Sequence, residues 1–280
     1  MARTVGECFR SAVEAFRNAG MESPEAEARL LLSEVFSLSP AELPVSEQIA
    51  ASGEMELVRS FVGRRLAHEP AQYILKKAYF HDIELEVSPA VLIPRPETEI
   101  LAEWAIRVLP RNGRMLDVGT GSGALALAAA HARPDILAVA LDVSQAALDV
   151  AERNLRKLEL TNVEFRESSL CSALVPHERF DVAVANLPYV PEGERPFLAP
   201  EVTEHEPGIA LFVPGDGTRL MRRALREIVP HLSRDGALGF ELDPRQAEPM
   251  GREFAAAGLE VAILRDLAGK ERFVTGRAKK

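Results

Sequence analysis

The chain has 280 residues, of which 47% are hydrophobic, and a formal net charge of −9. This length and composition allow a sizeable core in one large or two ordinary domains, and we favour two. The acidic balance argues against a broad nucleic-acid surface, because such surfaces neutralise phosphates with Lys and Arg.

The cysteine, histidine and apolar patterns exclude several further classes. Cys8 and Cys171 are too few and too far apart for a disulfide framework or a zinc site, and the six histidines show no metal-ligand spacing. No apolar run approaches the roughly 18 to 20 residues of a membrane span. The amino terminus, with Glu7 and Glu14, does not resemble a signal peptide. We therefore expect a cytoplasmic protein without a metal or a membrane.

Residues 1 to about 68 show helical periodicity. The first apolar stripe, with spacings of three and four, consists of Val5, Phe9, Val13 and Phe16. Ser23-Pro24-Glu25 is typical of a helix start, with Ser as the cap and Pro in the first position. A third helix is expected over 57–66. These stripes predict a small helical bundle, domain 1–72, and we interpret them as its core.

The rest of the chain predicts a hairpin followed by an α/β domain. Alternation over 73–92 indicates a β-hairpin, which we assign as a linker over 73–96. From there strands and helices alternate, which predicts a doubly wound sheet with helices on both faces in domain 97–280. The expected strands lie near 114–118, 136–141, 163–167, 180–185, 236–242, 259–265 and 272–276.

A glycine-rich loop follows the first of these strands. Asp117-Val118-Gly119-Thr120-Gly121-Ser122-Gly123 leads into an Ala/Leu-rich run, and this order is typical of strand, loop and helix. Glycines permit a tight turn and a close approach of ligand to backbone. About twenty residues on, the next strand ends in Asp142, which is placed to accept hydrogen bonds from ribose hydroxyls. The pattern implies a nucleoside cofactor.

A polar tetrapeptide, Asn186-Leu187-Pro188-Tyr189, follows a later apolar strand. Ligands of open α/β sheets bind beyond the carboxyl ends of the strands. An Asn side-chain oxygen and a neighbouring main-chain carbonyl can together accept both N–H bonds of an amide or an exocyclic amine. Tyr189 would stack on the plane of that group. The alternative interpretation is an ordinary Asn/Pro turn.

Two other functions share part of this pattern. Gly119-x-Gly121-x-x-Ala124 also satisfies the dinucleotide fingerprint of an oxidoreductase. A non-enzymatic nucleotide-binding module would keep the glycine loop as well. Neither has an evident need for Asn186, so that residue favours transfer to a planar nitrogen.

Taken together, the glycine loop, the acidic strand end and the Asn-x-Pro-Tyr sequence resemble the class I S-adenosylmethionine-dependent methyltransferases that act on planar nitrogens. Residues 69–75 and 91–99 are similar to the signature of the HemK-type protein-(glutamine-N5) methyltransferases, which modify peptide chain release factors. Further matches to that family are Glu206-Pro207, Ala210-Leu211, Gly215-Asp216-Gly217, Glu241, Gln246, and Asp266-x-x-Gly269-x-x-Arg272.

The resemblance implies a Rossmann-like seven-stranded methyltransferase sheet, S-adenosylmethionine as methyl donor and a release factor as protein substrate. The acceptor would be the glutamine of a Gly-Gly-Gln loop, and the helical domain would recognise the substrate. The implied catalytic and substrate-binding residues are Asn186, Leu187, Pro188 and Tyr189. The implied cofactor-binding residues are Asp117, Gly119, Thr120, Gly121, Ser122, Gly123, Asp142, Ser169, Leu170 and Asn186. We expect a monomer that binds no nucleic acid.

The chain departs from the family pattern at three places. Leu187 stands where the family usually has a first proline, and it can serve if the position contributes only its carbonyl. Ser168-Ser169 stands where a Ser-Asp pair is usual near the adenine, and a hydroxyl accepts a hydrogen bond more weakly than a carboxylate. Lys76 replaces a usual glycine. We expect these departures to affect cofactor affinity more than the class of reaction.

Other interpretations concern the acceptor and the charged loops. Asn-Leu-Pro-Tyr is also the form seen in rRNA adenine dimethyltransferases, so an adenine-specific enzyme is the main alternative, and glutamine methylation of a ribosomal protein is another. We interpret the acidic stretch of Glu201, Glu204 and Glu206 as a solvated face. The alternative is that it flanks the substrate entrance, because it closely follows the Asn-x-Pro-Tyr loop. Arg95 and Glu97 are expected to bridge the hairpin to the cofactor loop or to be structural.

Overall fold

The structure is a computed structural model that describes residues 3–278. It divides into two compact units. One comprises the chain up to Lys76 together with Ala199–His205, and the other comprises Lys77–Leu198 and the chain from Glu206 onward.

The α-helices are, in chain order, α1 (Val5–Asn18), α2 (Pro24–Phe36), α3 (Ser52–Leu66), α4 (Ala71–Leu75), α5 (Thr98–Val108), α6 (Ala124–Ala132), α7 (Gln145–Lys157), α8 (Pro200–His205), α9 (Arg219–Ile228) and α10 (Pro244–Ala256). The β-strands are β1 (Lys77–Phe80), β2 (Ile83–Glu86), β3 (Arg114–Val118), β4 (Leu137–Asp142), β5 (Val163–Glu167), β6 (Phe180–Ala185), β7 (Val190–Pro191), β8 (Phe212–Val213), β9 (Leu232–Glu241), β10 (Leu259–Arg265) and β11 (Glu271–Ala278).

The first unit is a helical bundle, as the periodicity predicts. The apolar stripe of α1 is buried, and its core partners include Leu31, Leu32, Phe36, Leu43, Val58 and Ile74. A capping box begins α1, in which Thr4 accepts from the Glu7 backbone and the Glu7 carboxylate accepts from the Thr4 backbone. Ser23 occupies the predicted cap position of α2, but its side chain makes no capping hydrogen bond.

The short helix α8 is part of this unit although it follows the Asn186 loop in sequence. Glu201 accepts from the Arg65 guanidinium at 2.8 Å, and Arg65 also pairs with Glu27. The ring of His205 lies 3.0 Å from the Ala67 carbonyl. The interpretation of this acidic stretch as a solvated face is therefore wrong for Glu201, whose charge is paired with a buried arginine.

The second unit contains the predicted seven-stranded sheet. The strand order is β10-β11-β9-β6-β3-β4-β5. Strand β11 runs antiparallel to β9 and β10, whereas the pairs from β9 to β5 are parallel. Parallel strands place their carboxyl ends at one edge of the sheet, and this edge carries the polar residues described below.

Helices cover both faces of this sheet, which confirms the doubly wound prediction. Successive residues of a strand point to opposite faces. Met115 accordingly joins one core with residues of α5 and α6, whereas Leu116 joins the other with residues of α9 and α10. Within residues 3–278, none of the helices combines the length and the apolar character that a bilayer span requires.

The predicted elements need four corrections, of which three concern boundaries and one concerns a strand pair. The hairpin is confined to β1 and β2, because residues 73–75 form the end of α4. Helix α3 begins at Ser52, five residues before the predicted start, and β9 begins at Leu232 rather than near 236. The parallel pair of β7 and β8 is absent from the sequence prediction, because two-residue strands have no detectable periodicity.

The backbone at Lys76 explains why glycine is usual at this position. Lys76 follows α4 with a φ of 57°, in the left-handed region that disfavours residues with a Cβ atom. We expect Lys76→Gly to raise the free energy of unfolding by about 0.5 to 1 kcal/mol. Glycine relieves the backbone strain, and this gain is partly offset because glycine also increases the conformational entropy of the unfolded chain. Urea denaturation measures the change. Lys76→Ala keeps the Cβ atom and is the control, and an equal gain from alanine would contradict the backbone explanation.

Candidate active site

The strand register brings three of the predicted site segments to one level of the sheet. Val118 of β3 pairs with Leu141 of β4 on one side and with Ala185 of β6 on the other. The next residues along the chain after these three are Gly119, Asp142, which ends β4, and Asn186. The glycine loop, the acidic strand end and the Asn-x-Pro-Tyr loop are therefore neighbours, as the sequence predicts.

Backbone hydrogen bonds fix the glycine loop against β4. The Gly119 and Thr120 amides both donate to the Leu141 carbonyl, at 2.8 and 3.0 Å. The Gly121 amide donates to the Asp142 carboxylate at 2.9 Å. Gly119, Gly121 and Gly123 have φ values of 78°, 55° and 85°, which only glycine adopts without strain. The loop needs its glycines for their conformation, before any ligand is considered.

Asp117 lies beneath this loop. Its side chain is fully buried, and its Oδ2 atom accepts from the Thr120 hydroxyl at 2.6 Å and from the Ala126 amide at 3.3 Å. Its Oδ1 atom has no hydrogen-bond partner among residues 3–278. Burial raises the pKa of Asp117 to about 7. The contacts show Asp117 holding the loop and the start of α6.

Asp142 is arranged to bind vicinal hydroxyl groups. Its Oδ2 atom accepts from the Gly121 amide, and its Oδ1 atom accepts from the Ser144 amide at 2.9 Å. A carboxylate oxygen can accept more than one hydrogen bond, so each oxygen keeps capacity for a ligand. Burial raises the pKa of Asp142, while these two backbone amides oppose that shift.

A single cavity in the second unit contains most of the predicted site residues. Its predicted lining residues are Gly119, Thr120, Gly121, Ser122, Asp142, Ser169, Leu170, Asn186, Leu187 and Pro188. Further lining comes from Leu92, Arg95, Thr98, Val143, Ala147, Ile209 and Leu220. Apolar walls with a few convergent polar groups are characteristic of small-molecule sites.

Three predicted site residues lie outside this lining set within the described chain: Asp117, Gly123 and Tyr189. A Cβ atom on Gly123 would lie 2.7 Å from a methyl carbon of Leu127 and 3.3 Å from the Ala151 Cβ atom. Gly123 therefore serves the packing of the following helix rather than approach to the cavity. Its predicted contact with the cofactor stays a prediction.

Asn186 belongs to a hydrogen-bonded network that the sequence did not reveal. Its carboxamide nitrogen lies 3.1 Å from the Thr98 hydroxyl oxygen, and that hydroxyl lies 2.6 Å from Oε2 of Glu241. The Tyr189 hydroxyl lies 3.3 Å from Oε1 of the same carboxylate. Burial raises the pKa of Glu241, and burial beside this carboxylate raises the pKa of Tyr189. Thr98 and Glu241 stood within matched family motifs, but no local pattern joins them.

The main chain after Tyr189 is held by a buried glutamine. Gln246 donates from its amide nitrogen to the Tyr189 and Asp216 carbonyls, each at 3.0 Å. Gly217 passes so close that a Cβ atom on it would lie 2.2 Å from the Tyr189 carbonyl oxygen. The Gly215-Asp216-Gly217 segment is thus packed directly on the Asn186-to-Tyr189 loop.

A buried asparagine ties the glycine loop to the hairpin. The Asn154 side chain donates to the carbonyls of Ser122 and Glu86, each at 3.0 Å, and accepts from the Glu86 amide at 2.6 Å. The carboxamide is fully buried, so it has to satisfy its hydrogen bonds within the protein. Sequence analysis missed this residue because it lies within an ordinary amphipathic helix.

The two residues predicted to contact the adenine, Ser169 and Leu170, follow β5 and differ in exposure. Ser169 is exposed, and its hydroxyl accepts from the Arg223 guanidinium at 3.3 Å. Leu170 is buried with a φ of 53°. The preceding Ser168 also lines the cavity, and its hydroxyl donates to the Leu170 carbonyl at 2.6 Å. Ser168 thereby stabilises the unusual Leu170 backbone.

Arg95 does not bridge the hairpin to the cofactor loop. Its guanidinium pairs with the Glu206 carboxylate at 2.6 Å, and Glu206 is buried, so the solvated-face interpretation is wrong for that residue as well. The hairpin contact comes instead from Glu99, which accepts from the His81 amide at 3.0 Å. Glu97 is exposed.

Neither the cysteines nor the acidic clusters suggest a metal centre. Over residues 3–278, no group of three or more His, Cys, Asp or Glu side chains is placed to hold an ion. Cys8 and Cys171 are both buried free thiols. Burial raises the pKa of Cys171 to about 12, so this thiol is not activated as a nucleophile.

Comparison with known proteins gives two family matches and many full-length relatives. A PrmC N-terminal domain model matches residues 7–75, and a methyltransferase domain model matches residues 109–226. The chain is 38% identical over 260 residues to a release factor glutamine methyltransferase of Coxiella burnetii, covering 91% of this chain and 92% of that protein. It is also 38% identical over 263 residues to one of Deinococcus radiodurans, covering 92% and 93%.

A solved structure supports the fold independently. A methyltransferase from Pyrococcus furiosus matches with a TM-score of 0.56 at 18% sequence identity, covering 79% of this chain and 100% of that one. At this level of identity the likeness concerns the fold alone.

Two neighbouring glycines provide a matched test of the packing at Tyr189. Gly215 and Gly217 have φ values of 78° and 81°, but only Gly217 would bring a Cβ atom against other atoms within 4 Å. We expect Gly215→Ala to lower the free energy of unfolding by about 1 kcal/mol through backbone strain. Gly217→Ala should cost about 3 kcal/mol, because overpacking adds to the same strain. Guanidinium denaturation of both variants measures these changes. An equal decrease in the free energy of unfolding would show that the Tyr189 segment moves aside without cost.

Proposed function

Because the chain belongs to the release factor glutamine methyltransferase family, we propose that it transfers a methyl group from S-adenosylmethionine to a glutamine of a peptide chain release factor. The acceptor atom is the side-chain amide nitrogen of the glutamine in the Gly-Gly-Gln loop. The observation that carries this proposal is the similarity to curated relatives over nine-tenths of both chains, 91% and 92% for the Coxiella protein.

The cavity fits the donor. No heavy atom lies within 4 Å of where a Cβ atom on Gly121 would be, so the loop leaves open space on that side. Asp142 retains acceptor capacity for ribose hydroxyls, and Leu170 and Ala147 supply apolar surface for a planar base. When bound, S-adenosylmethionine supplies an electrophilic methyl group on its sulfonium. Gly119 and Gly121 would lie against its methionine end.

The Asn186 loop fits the acceptor. An amide nitrogen is a poor nucleophile because its lone pair is delocalised into the carbonyl. We assign the Asn186 Oδ1 atom and the Leu187 carbonyl as acceptors of its two N–H bonds, which orients the nitrogen and favours the pyramidal geometry of attack. Positioning supplies most of the rate and local electrostatics add to it. No dedicated base is needed before transfer, since the proton becomes acidic once the nitrogen is alkylated.

Recognition of the protein substrate is assigned to the helical domain, residues 1–72. Glutamine is common, so an amide pocket alone does not distinguish one glutamine from another. The bundle exposes apolar side chains that its own core does not use, among them Val45 at 77% and Ile49 at 57% exposure. Exposed apolar groups of this kind suit contact with a folded protein.

The proposed role of Asn186 separates chemistry from cofactor binding. We expect Asn186→Ala to lower kcat by roughly 100-fold or more, the order found when one positioned polar group is removed from a transition state. The affinity for S-adenosylhomocysteine should change little, because the anchors at Asp142 and the glycine loop remain. Methyl transfer to purified release factor and calorimetric titration with S-adenosylhomocysteine measure the two quantities.

Mass spectrometry of the release factor after incubation with labelled S-adenosylmethionine locates the methyl group. Label on the glutamine of the Gly-Gly-Gln loop is the expected result. Label in RNA adenine, with none on that glutamine and with affinity that falls steeply as salt rises, would overturn the assignment in favour of an adenine methyltransferase. Near-normal turnover of Asn186→Ala would remove the proposed role of that residue.

The serine at position 169 should weaken adenine binding relative to an aspartate. Ser169 has a hydroxyl that already accepts from Arg223, and a carboxylate forms stronger hydrogen bonds to an amine. We expect Ser169→Asp to tighten S-adenosylhomocysteine binding by about 3- to 10-fold, the equivalent of roughly 1 kcal/mol. Ser169→Ala is the control and should bind more weakly than the natural chain. Unchanged affinity in both variants would place the adenine elsewhere.

A further inference from the structure

We propose that Thr98 and Glu241 are positioning residues that fix which way the Asn186 carboxamide faces, and that this orientation makes the site select an amide over a carboxylate. The inference rests on the proposed function, since it concerns how the acceptor amide is held. Thr98 begins α5 and Glu241 ends β9, so neither belongs to the loop that it controls.

The three side chains form a short buried chain of hydrogen bonds. Thr98 is 4% exposed and Glu241 is 2% exposed, so neither can exchange its partner for bulk water. The Thr98 hydroxyl is 2.6 Å from Glu241 Oε2 and 3.1 Å from the Asn186 side-chain nitrogen. A hydroxyl of Tyr189 faces the other oxygen of Glu241, at 3.3 Å. An ionised carboxylate therefore finds a donor at each of its oxygens.

The direction of these bonds follows from counting hydrogens. Burial raises the pKa of Glu241, but the hydrogen bonds from Thr98 and Tyr189 and the charge of Arg272 favour its ionised form. In that form the carboxylate only accepts, so the single hydrogen of the Thr98 hydroxyl goes to Glu241. The Thr98 oxygen is then available to Asn186 only as an acceptor. Asn186 must turn its NH2 group toward Thr98, which leaves its Oδ1 atom on the opposite side of the carboxamide. The orientation of the Asn186 carboxamide thus follows from the hydrogen-bonding capacity of its partner.

This orientation has a consequence for specificity. An Oδ1 atom that faces the acceptor accepts a hydrogen bond from a glutamine NH2 group. A glutamate carboxylate has no hydrogen to donate and would oppose two acceptors, the Oδ1 atom and the Leu187 carbonyl. Discrimination of this kind is strong, because buried polar groups are left without partners when the wrong group binds. If the carboxamide were free to turn over, its NH2 group would accommodate the carboxylate.

The test uses Thr98→Val, which keeps the shape of the side chain and removes the hydroxyl, with Thr98→Ser as the matched control that keeps it. We expect Thr98→Val to lower kcat at saturating release factor by about 10- to 100-fold. Thr98→Ser should retain most of the rate, and both variants should bind S-adenosylhomocysteine like the natural chain. A release factor with glutamate in place of the loop glutamine serves as a competitive inhibitor. Its inhibition constant should fall about tenfold for Thr98→Val and not for Thr98→Ser.

A double-mutant cycle checks that Thr98 acts through Asn186. In the Asn186→Ala background Thr98→Val should have no further effect on kcat, because there is no carboxamide left to orient. If Thr98→Val lowered kcat equally in both backgrounds, the inference would be overturned. It would also be overturned if the glutamate-containing release factor inhibited Thr98→Val no better than the natural chain. Where Thr98→Val does not fold, Glu241→Gln replaces it. Its amide offers one acceptor oxygen for two hydroxyls, so it should also lower kcat in the natural background and not in Asn186→Ala.

Failure of this inference is distinguishable from failure of the proposed function. Suppose that the unaltered protein methylates the release factor glutamine, and that Thr98→Val has the same kcat and the same inhibition constant for the glutamate-containing release factor. In that case only the inference fails. If the unaltered protein places no methyl group on that glutamine, the proposed function fails, and the amide-selection inference falls with it.

Discussion

The active-site edge of the sheet depends on two carboxylates that the fold removes from water. Asp117 at the end of β3 is fully buried, and Glu241 at the end of β9 is 2% exposed. A buried carboxylate is costly unless donors surround it, so the loops that follow the strands must fold back to supply them. Asp117 receives a hydroxyl and an amide from the glycine loop and α6, whereas Glu241 receives hydroxyls from α5 and from the Asn186 loop.

The two carboxylates therefore organise different halves of one cavity. The glycine loop, held by Asp117, forms the side on which Asp142 faces the proposed cofactor. The Asn186 loop, held through Thr98 and Glu241, forms the side that faces the proposed acceptor. Neither carboxylate lines the cavity within the described chain, which lets each be strongly desolvated while the groups that it positions stay accessible. The burial that raises the pKa of Asp117 to about 7 is the cost of this arrangement.

The sequence predicts those parts of this design that are local in the chain. Apolar runs that end in glycine, Asp142 or Asn186 place the central strands within a residue or two, and parallel pairing brings their ends together without further information. The supporting contacts join Thr98 to a residue 143 positions away and Gln246 to one 57 positions away. No periodicity encodes such distances. The pairing of Arg65 with Glu201, 136 positions apart, is equally invisible to local sequence patterns.

The glycine loop and the Asn-x-Pro-Tyr loop, which both contribute to the family resemblance, also pack against each other. Leu187 is 5% exposed, and a Cβ atom placed on Gly119 would lie 2.7 Å from its Cδ2 atom. The position after Asn186 therefore does more than present a carbonyl, because its side chain covers the glycine loop. Two features require glycine at position 119: its φ of 78°, and this close contact with Leu187 in the loop after β6. A leucine at 187 is compatible with the site because it fills, with a flexible side chain, the space that the absence of a Cβ atom at 119 provides.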